Sequence, residues 1–252
     1  MAIPKILIIR APGTNCDFET SVAFQKAGAH VTMAHINQLI NNGLKIGDYQ
    51  ALVFPGGFTY GDDLGAGKIM GNEIRLKLGD NINRFITDGG LILGICNGFQ
   101  VMVQSGILPG NGNAVTLTGN NSGRFECRWI HLAANPHSKC VFTRGIDRIY
   151  LPVAHGQGKL VASEDTLDKL DVALYYTDPS GKQPVDYPYN PSGSLRGIAG
   201  ICDETGRIFA MMPHPERHIS FHQHPKWTRG KVSNPGDGLQ IFTNAVNWIK
   251  RL

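Results

Sequence analysis

Gly94-Ile95-Cys96-Asn97-Gly98 sets a thiol between two glycines, directly after the apolar run Leu91–Ile95 and before a helical stretch, Phe99–Gln104. A G-x-nucleophile-x-G turn between strand and helix is a nucleophile elbow, here with cysteine in place of serine. The glycines belong there because the sharp turn brings neighbouring elements against both positions. Opening a helix also favours the thiolate, through the aligned N–H groups and the helix dipole. Taken alone, the same five residues equally describe a buried structural cysteine beside close-packed glycines.

A thiolate that attacks an amide needs a base to take its proton and return it to the leaving amine. Met212-Pro213-His214-Pro215-Glu216-Arg217 offers one, with His214 as base and acid and Glu216 as the carboxylate that fixes its tautomer. Prolines on either side stiffen the loop. Val53-Phe54-Pro55-Gly56-Gly57-Phe58 runs a strand into Pro-Gly-Gly at the carboxyl edge of a sheet. A backbone N–H of those glycines could serve as one oxyanion donor, with that of Asn97 after the nucleophile as the other, though an ordinary turn reads the same way.

The elements that must position these groups alternate short β-type runs with helical stretches, as in a parallel sheet with crossover helices. Strands are expected at Lys5–Ile9, Val31–Ala34, Ala51–Phe54 and Leu91–Ile95. Further β-like stretches are Arg124–Leu132, Ile149–Ala154, Val172–Tyr176, Gly197–Cys202 and Ile208–Met212. Helices are expected over Glu19–Ala27, over Ile69–Thr87 with Ile74, Leu78, Ile82 and Phe85 on one face, and over Gly236–Lys250. Asp178–Ser194 is a loop rich in Pro, Gly, Asn and Ser. With no linker or repeat in view, residues 1–252 are expected to form one domain.

Composition narrows the classes. Charged residues make up 17% of 252, against roughly 25% in an average domain, and the net charge is +4 without charge runs. This does not point to nucleic acid. Hydrophobic residues, at 42%, suffice for a core. The uncharged window Gly89–Gly123 is broken by Gly and Asn and is no membrane span. Four apolar residues before Arg10 are too few for a signal peptide. Five cysteines without CxxC spacing indicate a reduced, cytoplasmic protein rather than a disulfide or zinc framework.

Two other motifs compete. Gly65-Ala66-Gly67-Lys68 resembles the end of a phosphate-binding loop, but Ile69 replaces Ser/Thr and position 62 is not glycine. His214, His218 and His222 would share one face of a helix, with His224 nearby, and hold a metal. HExxH is absent and Pro225 cuts the segment short, so no metal is assigned.

In combination, Pro-Gly-Gly, the cysteine elbow and the late His-x-Glu resemble the class I (triad) glutamine amidotransferases. Further stretches narrow the likeness: Arg10–Asp17 (RAPGTNCD), Pro55–Asp62 (PGGFTYGD), Cys96–Gln100 (CNGFQ), Asn190–Ser194 (NPSGS), Ile198–Ile201 (IAGI) and Met211–Arg217 (MMPHPER). They look like the PurQ-type subgroup, the glutaminase subunits of phosphoribosylformylglycinamidine synthase in purine biosynthesis.

The resemblance covers nearly the whole chain. It implies an α/β, flavodoxin-like fold, a mostly parallel central sheet with helices on both faces. It implies catalytic Cys96, His214 and Glu216, oxyanion donors Gly57 and Asn97, and substrate contacts from Gln100 and from a strand carrying Ser122, Arg124 and Phe125. Glutamine would be hydrolysed through a γ-glutamyl thioester, with no cofactor in this chain. Ammonia would pass to an ATP- and Mg-using synthetase subunit (PurL type), with a small bridging subunit (PurS type).

Two departures stand out: His155-Gly156-Gln157-Gly158, where His-Gly-Glu-Gly is expected at a partner-facing edge, and a long His218–Gly236 stretch, read as a surface loop or partner contact. Another triad amidotransferase, a cysteine hydrolase or a non-catalytic regulatory homologue remain the alternatives.

Overall fold

Strands buried on both faces come from runs of consecutive apolar residues, as a helix-covered parallel sheet requires. The computed structural model describes residues 2–110, 114–229 and 234–251. Its first strands are β1 (Lys5–Arg10), β2 (His30–His35), β3 (Ala51–Phe54), β4 (Leu91–Ile95), β5 (Val115–Thr118) and β6 (Glu126–Ala134). There follow β7 (Arg148–His155), β8 (Lys159–Ala162), β9 (Asp171–Thr177), β10 (Ile198–Cys202) and β11 (Ile208–Met211). The helices are α1 (Asp17–Lys26), α2 (Ile36–Ile40), α3 (Lys68–Glu73), α4 (Gly79–Thr87), α5 (Asn97–Ser105), α6 (Glu164–Leu167) and α7 (Leu239–Ile249).

Among the described residues nine strands form one sheet in the order β2-β1-β3-β4-β11-β10-β9-β6-β7. The half from β2 to β11 is parallel and has the doubly wound order. The half from β11 to β7 is antiparallel. Helix α1 packs on α7 through Phe24 and Phe242, whose rings meet edge-on at 4.9 Å. The carboxyl ends of β3, β4 and β11 are where such a sheet holds ligands, and all three lead into the expected chemical groups. No helix among the described residues is long and apolar enough to cross a membrane.

The expected strands form, with small shifts at their ends. The helix expected over Ile69–Thr87 is interrupted: α3 and α4 are separated by a π-turn at Ile74–Leu78, ahead of Gly79. The wider turn keeps Ile74, Leu78, Ile82 and Phe85 buried, so the apolar face survives the break. β5 and β8 are additions. They pair only with each other, across distant sequence, and so leave no hairpin signal. Residues 230–233 of the His218–Gly236 stretch lie outside the described residues.

Candidate active site

Cys96 sits at the β4–α5 junction with φ 51° and ψ −107°, a backbone state that L-residues rarely adopt. The flanking glycines are dictated by contact. A Cβ on Gly98 would lie 1.8 Å from the Phe54 carbonyl oxygen, and one on Gly94 would lie 2.5 Å from the Met102 sulfur. The Cys96 N–H bonds to Met211 O at 2.8 Å, tying the elbow to the end of β11. The residue is only 5% exposed, and its thiol points at the Ala154 carbonyl, 3.6 Å away. The antiparallel half of the sheet therefore curls back, and β7 closes on the elbow.

His214 is held from the same side. Its N–H bonds to Pro152 O at 2.9 Å on β7, an edge strand of the sheet, where proline costs no ladder bond. Nδ1 lies 2.6 Å from Glu216 Oε1, and both side chains are sealed from solvent. Nε2, buried without a hydrogen-bond partner among the described residues, is left for the thiol. Burial would push the ring's pKa down. The Glu216 carboxylate, with Cys96 and Cys16 close by, outweighs it and raises the pKa well above the ordinary value. Cys96 and His214 line one cavity of about 150 Å³, and Cys96 also lines an adjoining one of about 150 Å³. The arrangement is that of a thiol, a base and an orienting acid.

Gly57 lines both cavities. It forms an isolated bridge with Thr14 in which the neighbours bond (Phe58 N to Gly13 O, 2.9 Å; Asn15 N to Gly56 O, 3.4 Å), leaving its own N–H outside that ladder. Asn97 is the first residue of α5, whose N–H has no partner within the helix. The Asn97 side chain ties the two together. Its Oδ1 accepts from Thr59 N and Oγ1 at 3.2 and 2.8 Å, and its Nδ2 donates to Asp62 Oδ1 and Gln100 Oε1 at 3.2 and 2.9 Å.

Of the expected substrate contacts, the structure brings Gln100 and Phe125 to the cavity. Gln100 donates to Gln157 O at 2.6 Å, and Phe125 lies 6.3 Å from Phe58 across the mouth. Ser122 and Arg124 are placed differently from the expected strand. Residues 121–125 form a turn ahead of β6 rather than a strand, Ser122 Oγ bonds Glu126 at 2.7 Å, and neither residue lines the cavity. Gln157, expected near a partner-facing edge, lines the cavity with His155 and Gly156.

Sequence reasoning missed Cys16, Asp62, His155 and Arg217 as site neighbours. Their motifs gave the signal, but not the fact that the loop after β1 reaches His214. There Arg217 Nη2 donates to Cys16 Sγ at 2.9 Å. Cys16, His214 and Glu216 form the one cluster of metal-ligand type among the described residues, and the Arg217 guanidinium already donates to its sulfur. The four late histidines do not gather as a set: His218 and His224 lie 5.6 Å apart, ring to ring, but single 3₁₀ turns at Pro215–Arg217 and Phe221–Gln223 replace the helix that would align all of them. His218 bonds Tyr150 O at 2.7 Å and His222 stacks on Phe221.

Comparison with known proteins agrees with this geometry. A family profile described as CobB/CobQ-like glutamine amidotransferase domain matches residues 3–249. The chain belongs to this family. It is 58% identical to the phosphoribosylformylglycinamidine synthase subunit PurQ of Dehalococcoides mccartyi, over the whole of both chains. Identity to the protein of that name from Methanococcus maripaludis is 44%, over 99% of this chain and 98% of that one. Among solved structures, PurLQS from Thermotoga maritima superposes with a TM-score of 0.76 at 29% identity, covering 98% of this chain and 100% of that one. An amidotransferase site accounts for the elbow, the paired His and Glu and the glycine loop together.

Proposed function

We propose that this chain is the glutaminase subunit of a phosphoribosylformylglycinamidine synthase. The observation that carries the reading is an assembled Cys96, His214 and Glu216 site in a chain 58% identical, end to end, to a protein of that name. In this reading the Cys96 thiolate attacks the carboxamide carbon of glutamine. The negative oxygen is received by the N–H groups of Gly57 and Asn97. His214 Nε2, protonated by the thiol, passes that proton to the leaving ammonia, and a γ-glutamyl thioester remains. Water, deprotonated by His214, then releases glutamate and restores the thiol.

Ammonia goes to an ATP- and Mg-using synthetase partner of the PurL type, with a bridging PurS-type subunit. The name PurLQS of the superposed Thermotoga maritima structure supports these partners. Phe58 and Phe125, 43% and 52% exposed at the cavity mouth, give an apolar rim suited to one. A reducing cytoplasm suits a site built on a free thiol.

The test is ammonia release from glutamine by the chain with its synthetase partner, the nucleotide substrate and ATP. Glutamine-dependent formation of the amidine product supports the assignment. Hydrolysis of glutamine without transfer to that nucleotide would point to another triad amidotransferase.

A further inference from the structure

Glu216 uses only one of its oxygens. Oε1 takes His214 Nδ1 at 2.6 Å, while Oε2 is buried without a hydrogen-bond partner among the described residues. The cation beside it is Arg217, the next residue of the 3₁₀ turn Pro215–Arg217. Its Nε lies 3.9 Å from Oε1, too far for a hydrogen bond. Arginine and carboxylate ordinarily close into two parallel N–H···O bonds. A buried carboxylate with a free oxygen invites that closure, and here it has not happened.

The guanidinium is held elsewhere, by Cys16. This residue is wholly buried in the turn ahead of α1. Its thiol donates to Asn15 Oδ1 at 3.1 Å, and its sulfur accepts Arg217 Nη2 at 2.9 Å. With the S–H turned to Asn15, the sulfur lone pairs are left for the guanidinium. The backbone fixes the sulfur in place, because the Cys16 N–H bonds to Gly56 O at 3.1 Å and the Cys16 carbonyl accepts Thr20 Oγ1 at 2.6 Å. The sulfur also lies against the base: a Cβ on Gly56 would be 3.1 Å from Cys16 Sγ and 2.8 Å from His214 Cε1.

Closure of Arg217 on Glu216 would divide a charge on which His214 depends. Burial alone would push the ring's pKa down, and the Glu216 carboxylate is the chief group that holds it up. Cys96, Cys16 and His155 are the other ionisable groups near the ring, and Glu19 of α1 is near the guanidinium. We propose that Cys16 is a positioning residue for the triad, detaining the Arg217 guanidinium so that the Glu216 carboxylate stays reserved for His214. This rests on the glutaminase reading, which makes His214 the base.

The test uses the chain in complex with its synthetase partner. Cys16→Ala frees the guanidinium to close on Glu216. An added cation favours the deprotonated groups, so the pH profile of kcat/KM for glutamine should move to lower pH by about one pH unit. The value near pH 7 should fall by about 10-fold, the equivalent of that displacement. Cys16→Ala combined with Arg217→Met removes the competitor and should recover most of the loss. Cys16→Ser, whose hydroxyl still accepts the guanidinium, should lose less than Cys16→Ala. Native behaviour of Cys16→Ala, a loss without displacement in pH, or an equal loss in the double variant would overturn the role. Alkylation of Cys96 by iodoacetamide, located by peptide mapping, needs no substrate and should show the same displacement and recovery. No hydrolysis of glutamine by the native complex would overturn the glutaminase assignment, whereas a Cys96 alkylation profile that Cys16→Ala leaves in place would overturn the positioning role alone.

Discussion

The Gly56 carbonyl accepts the backbone N–H of Cys16 at 3.1 Å, and because a trans peptide is planar this sets the direction of the Gly57 N–H on its far side. The loop after β1 is thus a clamp on the proposed oxyanion donor. It is itself anchored by Arg10 Nε to Asp17 Oδ2 at 2.8 Å.

Gly13→Ala should break the clamp, since a Cβ there would lie 2.0 Å from the Phe58 carbonyl oxygen at a φ of +86°. Displacing one oxyanion donor costs about 10²–10³ in rate. We expect kcat to fall by that order with KM little changed. A melting temperature measured alongside separates this from unfolding. Native kcat in the Gly13→Ala variant would mean that the clamp does not set the donor.

Five cysteines should respond differently to a glutamine-shaped electrophile. Cys96 alone combines the elbow with the cavity, while Cys127 is exposed and Cys140 and Cys202 are buried elsewhere. Peptide mapping should find the label on Cys96, and Cys96→Ala should have no glutaminase activity. Cys16 is the informative control, because it lies beside His214 yet is already held by Arg217. Label on Cys16 would displace Cys96 from its assigned role.

The elbow, the His214–Glu216 pair and the parallel half of the sheet were legible because each rests on local sequence: glycines around a thiol, a two-residue spacing, runs of apolar residues. The clamp was not. Gly56 and Cys16 are far apart in the chain, and nothing in RAPGTNCD says that its N–H groups face Pro-Gly-Gly. His155 likewise became a site residue only when the antiparallel half curled β7 onto the elbow. The local shape at Ser122 and Arg124 was misjudged for the converse reason: a family stretch was assigned to a strand, whereas Gly123, at φ +65°, belongs to a turn.

The buried His214–Glu216 pair links chemistry to stability. A ring whose folded pKa is raised binds its proton more tightly folded than unfolded. Its contribution to stability is full below the unfolded pKa, ~6.5, and is lost as pH rises through the raised folded value. Denaturant unfolding of the native chain and Glu216→Gln should therefore differ most on the acid side of that window and converge above it. In activity, His214→Ala should be nearly inert, since the leaving ammonia then lacks its proton. Glu216→Gln should lose less, within the ~10²–10⁴ typical of acid–base assistance. Small and equal losses in the two variants would make the histidine structural.

Activity should depend on the partner. A free-running glutaminase would waste glutamine, and coupling has to act on something the partner can reach. The triad is sealed, but Phe58, directly after Gly57, is 43% exposed at the mouth and faces Phe125. Docking on this rim would press on the loop that carries the oxyanion donor. Turning the Gly56–Gly57 peptide would cost the bonds from Asn15 and Cys16, so two orientations of the donor would be separated by a definite step rather than a continuum. The partner would then favour the productive one, a shift between pre-existing states worth up to the ~10²–10³ of one donor. Steady-state ammonia release should rise by that order when synthetase, its nucleotide substrates and any bridging subunit are added to the purified chain. Phe58→Ala should blunt the rise while the slow rate of the isolated chain persists. Full activity in the isolated chain, unaltered by partner, would remove the gating role of this loop and leave the glutaminase assignment standing.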